Sequence, residues 1–171
     1  MRTIAKHSIA VETSTLSSLS SEERELVLAA REATAQSYSP YSRFCVGCAI
    51  RLSTGEIVTG ANHENASYGL AVCAERTTIF MVNNMGRRED IKAIAVTGRR
   101  ASLVEDDDYV GDAPVTPCGA CRQVIYESEQ LVGASIEILM DCYDDEEIRI
   151  VHSARDLIPF AFGPADLGIE V

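Results

Sequence analysis

The sequence predicts an α/β layer fold built on a mixed sheet of about five strands. Three observations carry that reading: apolar runs of strand length alternate with segments of helical periodicity, two neighbouring runs form a hairpin, and 171 residues suit a single domain with one core. The hairpin means that the sheet is not wholly parallel. In chain order, Ser20 or Ser21 caps a helix reaching to about Ser37, with Glu22 to Glu25 in an acidic first turn and Leu26, Ala29, Ala30 and Ala33 on its buried side. Phe44 to Leu52 and Glu56 to Gly60 are strands around a Ser53-Thr54-Gly55 turn. A helix opens at Cys73, carries Ile79, Val82 and Met85 on one face and stops at Gly86. Ile91 to Thr97 is the third strand. A long acidic excursion without periodicity, Arg99 to Thr116, reads as a surface insertion. Pro117 suits the first turn of a helix whose body, Gly119 to Leu131, places Val124, Ile125 and Leu131 at near-helical spacing. Ser135 to Met140 and Ile148 to Val151 are the last strands, and Ala154 to Ile158 is a short helix.

Composition narrows the class. Residues 1–19 are polar and rich in Ser and Thr, without the apolar stretch of a secretory signal, and read as a flexible tail before one domain over 20–171. No apolar run approaches the roughly 20 residues that span a bilayer, so no membrane partner is expected. With 15 basic and 26 acidic residues, the net charge of -11 repels a phosphate backbone, which argues against a nucleic acid polymer as substrate. Six scattered cysteines do not make a secreted disulfide framework and point to a reducing compartment, the cytoplasm.

The chemistry sits in two short motifs, Cys73-Ala74-Glu75 and Pro117-Cys118-Gly119-Ala120-Cys121. They supply three thiolates, Cys73, Cys118 and Cys121, and one detached carboxylate, Glu75. Three protein ligands leave the fourth tetrahedral position of a zinc open, whereas a structural zinc is usually closed by four. Glu75 is then free to move protons. This spacing, with His or Cys in first place, is the known signature of zinc nucleobase deaminases. The cysteines fall at helix N-termini, where unpaired N–H groups and the dipole favour thiolate. Three thiolates around a divalent ion leave a formal charge of -1. Arg76 is therefore expected to hydrogen-bond ligand sulfur, with Arg122 as a weaker candidate. A rival reading pairs Cys45 and Cys48 with Cys118 and Cys121 in a closed four-cysteine site. It requires the strand to break at Gly47, because strand residues three apart face opposite sides.

The chain resembles the cytidine deaminases of nucleoside salvage, of the three-cysteine homotetrameric kind. The resemblance rests on Tyr38-Ser39-Pro40-Tyr41-Ser42-Arg43-Phe44, on Asn62-His63-Glu64-Asn65-Ala66-Ser67-Tyr68-Gly69-Leu70, on Cys73-Ala74-Glu75-Arg76 and on Pro117 to Gln123, with Leu157 to Pro164 as a C-terminal block. It implies a three-layer α/β/α sandwich, one zinc per subunit, and hydrolytic deamination of cytidine and deoxycytidine to uridine and deoxyuridine with release of ammonia. It also implies site residues: Cys73, Cys118 and Cys121 on zinc, Glu75 as proton shuttle, Asn62 and Glu64 on the ribose, mainly its 3'-hydroxyl, and Phe44 against the nucleoside. Ala66 and Tyr68 match positions that serve a neighbouring subunit's pocket, and Phe162 an aromatic that crosses the interface, so a homotetramer with shared sites is expected. His63 inherits no role. Two features depart from the family pattern: Cys45 and Cys48 stand where Pro and Ala are commoner, and the 99–116 insertion is longer than usual. A deaminase of a modified cytosine nucleoside such as blasticidin S would share the metal site without needing the Asn62–Glu64 pair. A non-enzymatic zinc module would show a fourth protein ligand.

Overall fold

The computed structural model describes residues 2, 8–101, 113–144 and 147–169. Six strands form one sheet in the order β1-β6-β5-β4-β2-β3: β1 is Glu12–Ser14, β2 Phe44–Leu52, β3 Ile57–Ala61, β4 Ile91–Arg100, β5 Glu137–Asp141 and β6 Ile148–Val151. Only the β4–β5 pair is parallel; the other neighbours are antiparallel, as the hairpin required. The helices are α1, Ser21–Ala33, α2, Ala74–Asn84, and α3, Gly119–Val132.

Alternation along the strands separates two cores. Ile94 and Val96 of β4 face α2 and α3 with Cys48, Ile50, Ile79, Val82 and Ile125, whereas Ala93 and Ala95 face α1 with Ala49, Leu26, Val27 and Ala30. These are the outer layers of an α/β/α sandwich. Small residues on the α1 side let that helix lie close. At Gly47 a Cβ would stand 2.0 Å from the Ala30 carbonyl oxygen, so only glycine fits there. The N-terminus of α1 is a capping box, with the Ser20 hydroxyl accepting from Glu23 N and the Glu23 carboxylate accepting from Ser20 N.

A buried ion pair ties α1 to the sheet. Arg31 Nε and Nη2 donate to the two oxygens of Asp141 at 2.9 and 2.7 Å, and Asp141 also accepts from Thr97 Oγ1 at 2.6 Å and Tyr143 N at 3.1 Å. Asp141 is fully buried, and the guanidinium of Arg31 also stacks on the Tyr143 ring. Asp141→Ala is expected to lower unfolding free energy by about 3–5 kcal/mol, because it removes the fully buried carboxylate of a charge-assisted pair. Urea unfolding of the two proteins measures the difference.

Several elements differ from expectation. The sheet has six strands: Glu12–Ser14, inside the segment read as a tail, pairs antiparallel with β6, Glu12 opposite Ile150. Three polar residues carry no apolar alternation; main-chain pairing makes the strand, and His152 meets the Glu12 carboxylate beside it. The first helix is α-helical only to Ala33 and continues as a 3-10 turn, Thr34–Gln36. Met85 is 48% exposed at the end of α2, so that helix's buried residues are Ala74, Glu75, Thr78, Ile79 and Val82. Arg99 and Arg100 belong to β4, held opposite Cys45 and Phe44, and not to the insertion; 102–112, its middle, lies outside the described residues. Residues Ala154–Leu157 form a 3-10 turn. Among the described residues, no helix is long and apolar enough to cross a membrane.

Candidate metal centre and substrate cavity

Cys73 and Cys118 are the N-caps of α2 and α3, both with extended backbone (φ -72° and -67°), and Cys121 lies in the first turn of α3. The two helices therefore aim their N-terminal N–H groups at one point, where negative charge is stabilised. The three sulfurs lie within 4.8 Å of one another, with Cys73 to Cys118 at 3.8 Å and Cys118 to Cys121 at 3.5 Å. Tetrahedral zinc with bonds of about 2.3 Å requires ligand sulfurs about 3.8 Å apart, so the donor set fits that ion. The protonation pattern fits as well. The hydrogen bond from Cys121 is the largest influence holding the Cys73 thiol down to about 5, and Arg76 adds to it. Cys121, bonded to Cys73 and buried, is pushed up. A divalent cation bound here would displace the thiol protons.

Arg76 turns back from α2 onto this cluster. Its Nη2 donates to Cys73 Sγ at 3.8 Å and to the Ala71 carbonyl at 3.2 Å, while its Nε is buried with no hydrogen-bond partner. Arg122 instead braces the loop, donating to the carbonyls of Pro117 and Leu157 at 2.8 and 3.0 Å. Glu75 is in the first turn of α2 and only 3% exposed; burial is the largest influence raising its carboxyl above the usual range. The fully buried Cys48 thiol is pushed up by burial and then by the charge of Glu75. Cys45 bonds instead to Ser39 on the opposite face of an unbroken β2. The rival four-cysteine site therefore has no geometry, and Cys73 is no bystander.

A cavity of about 320 Å³ opens beside the sulfurs, lined by Phe44, Asn62, Glu64, Cys73, Glu75 and Cys118 among others. Phe44 packs over Gly98 of β4, where a Cβ would stand 2.9 Å from its ring and 3.2 Å from Val115. Asn62 is held by three bonds: Oδ1 accepts from Ser37 Oγ at 2.6 Å and Val46 N at 2.8 Å, and Nδ2 donates to the Phe44 carbonyl at 2.9 Å. Glu64 Oε2 accepts from Tyr41 N and Ser42 N at 2.9 and 3.2 Å; bonding from Ser42 is the largest influence holding this carboxyl below its ordinary range. A carboxylate offers about four acceptor positions, which leaves capacity for a ligand hydroxyl.

Ala66, Tyr68 and Phe162 lie outside this cavity. Tyr68 is 75% exposed and meets the Tyr41 ring edge-on at 5.6 Å, and Phe162 is 58% exposed, with its carbonyl accepting from Gln123 Nε2. Sequence reasoning missed Val46, His63, Val115 and Thr116 as cavity wall, and Ser37 behind Asn62. Val115 and Thr116 had one signal, their place directly before Pro117-Cys118; Ser37 had none.

The family model of the "cytidine and deoxycytidylate deaminase zinc-binding region" matches residues 20–134. A cytidine deaminase of Halalkalibacterium halodurans is 40% identical over 148 residues, 85% of this chain and 98% of that one. One from Mycobacterium tuberculosis is 35% identical over 146 residues, 82% of this chain and 90% of the relative. Among solved structures, cytidine deaminase from Burkholderia pseudomallei superposes with a TM-score of 0.67 at 38% identity, covering 81% of this chain and 97% of that chain. The matched region contains both cysteine-bearing helix starts and the whole wall between them, and it places the chain in the cytidine and deoxycytidylate deaminase zinc-binding family.

Proposed function

We propose that this chain hydrolyses cytidine and deoxycytidine to uridine and deoxyuridine, releasing ammonia. The observation that carries the reading is a buried carboxylate, Glu75, in one cavity wall with Cys73 and Cys118, two members of the three-sulfur cluster. Cys73, Cys118 and Cys121 would hold zinc, which supplies a Lewis acid that makes water acidic near neutral pH. Arg76 offsets the charge of three thiolates from behind. Glu75 takes one proton from the attacking water and gives it to ring N3, then takes the second from the new C4 hydroxyl and delivers it to the amino nitrogen as the C4–N bond breaks. A C4–O bond replaces it, and ammonia leaves.

Asn62 and Glu64 bind the sugar. Hydroxyl groups buried against them leave polar partners unpaired when a free base enters, so the site selects nucleoside over cytosine. Phe44 forms the apolar wall. Ala66, Tyr68 and Phe162 are exposed and off the chain's own cavity, which suits residues that complete a neighbouring copy's site in a homotetramer. A role in pyrimidine salvage in the cytoplasm follows from that substrate and from the free cysteines.

The test combines metal content with a substrate panel. The purified chain is expected to carry one zinc per subunit and to remove the absorbance of cytidine and deoxycytidine. Cytosine, cytidine monophosphate and RNA stay unchanged. Turnover confined to blasticidin S would replace the substrate, and bound zinc without any turnover would end the enzyme reading.

A further inference from the structure

Asn62 is wired in one direction. Its Oδ1 has two lone pairs, and Ser37 Oγ at 2.6 Å and Val46 N at 2.8 Å occupy both. Its Nδ2 gives one hydrogen to the Phe44 carbonyl and keeps one more. The strength of this arrangement depends on where the Ser37 proton points. Ser37 and Ser39 hydroxyls lie 3.1 Å apart, and Ser39 Oγ is 3.4 Å from Cys45 Sγ. A serine has a single hydroxyl hydrogen, and amide Oδ1 can only accept. Ser37 must therefore commit its hydrogen to Asn62 rather than to Ser39. Both lone pairs of Asn62 Oδ1 are thus closed, one by the half-buried Ser37 hydroxyl and one by a β2 main-chain N–H.

We propose that Ser37 is a positioning residue that fixes Asn62 as a pure hydrogen-bond donor toward the sugar. The proposal rests on the reading of Asn62 as a sugar-binding residue. With Oδ1 saturated, Asn62 presents only N–H and Glu64 presents only acceptors. A hydroxyl placed between them satisfies both groups at once, and a hydrogen in its place satisfies neither. Without Ser37, one lone pair of Oδ1 is released, Asn62 accepts as well as donates, and its amide loses one of three restraints. The site then reads the hydroxyl less sharply.

The experiment compares cytidine with 3'-deoxycytidine in wild type, Ser37→Ala, Ser37→Cys, Ser37→Thr and Asn62→Ala. Loss of one such bond is worth roughly three- to ten-fold. Ser37→Ala is expected to raise KM for cytidine by that factor, leave kcat within about two-fold, and narrow the preference over 3'-deoxycytidine by a similar factor. Ser37→Cys, close in shape but a weak donor, behaves like the alanine variant; Ser37→Thr, which keeps the hydroxyl, restores wild-type values. Asn62→Ala abolishes the preference. If Ser37→Ala and Ser37→Cys keep full discrimination while Asn62→Ala loses it, the positioning role is wrong and the sugar reading stands. If Asn62→Ala itself keeps full discrimination, Asn62 does not read the sugar and both fall.

Discussion

Glu75→Gln is expected to cut kcat for cytidine by at least 10²–10⁴-fold, about the range that a positioned proton shuttle contributes, and to leave zinc and fold in place. The substitution keeps size and removes the group that exchanges protons. Glu75 sits in the first turn of α2, and its side chain is not a member of the sulfur cluster, so the three thiols remain as they are. The amide also relieves the cost of keeping a carboxylate at 3% exposure, so thermal stability is expected to hold or rise. Single-turnover kinetics, zinc analysis and a melting curve on one preparation check all three. A variant retaining more than a tenth of wild-type turnover would remove Glu75 from the mechanism.

Cys121→Ala tests the metal itself and is expected to abolish both zinc retention and activity. Cys121 is the buried member of the cluster and lies in the same helical turn as Cys118. Its loss leaves two ligands on separate helices, too few for a stable site. Water without the metal is about nine pK units less acidic, so turnover should fall by more than about a thousand-fold. Zinc titration with a chromogenic chelator and the cytidine assay measure the two losses. Cys45→Ala and Cys48→Ala should each keep one zinc per subunit, because neither sulfur joins the cluster. Zinc loss in those two variants, with retention in Cys121→Ala, would transfer the metal to β2.

The legible parts of this chain were those written in residue type at short range. Ser20 or Ser21 followed by the acidic turn Glu22 to Glu25 announced the start of α1, and the apolar runs announced β2, β4, β5 and β6. Cys73, Glu75, Cys118 and Cys121 were legible because metal chemistry restricts which side chains serve and how they are spaced. Arg76 was legible by charge balance, since three thiolates ask for a cation nearby. What escaped was made by backbone or by distant partners. Glu12–Ser14 pairs through main-chain groups without an apolar pattern, and Arg99 and Arg100 extend β4 because Cys45 and Phe44 lie opposite them. Ser37 meets Asn62 across 25 positions of chain, a contact no local pattern encodes. Gly98 looked like any strand glycine until the Phe44 ring was found above it.

The short strand β1 has a consequence beyond the sheet it joins. A free rim on β6 would present a row of unmet N–H and C=O groups, which recruits extended segments of other molecules and seeds fibrils. Residues 12–14 fill that rim, and His152 clamps them there by reaching Glu12 on one side and Glu137 on the other. The new border is three residues long and polar, a poor template for stacking. A segment far in sequence from the metal cluster thus covers a sheet edge that would otherwise be open to pairing with other chains.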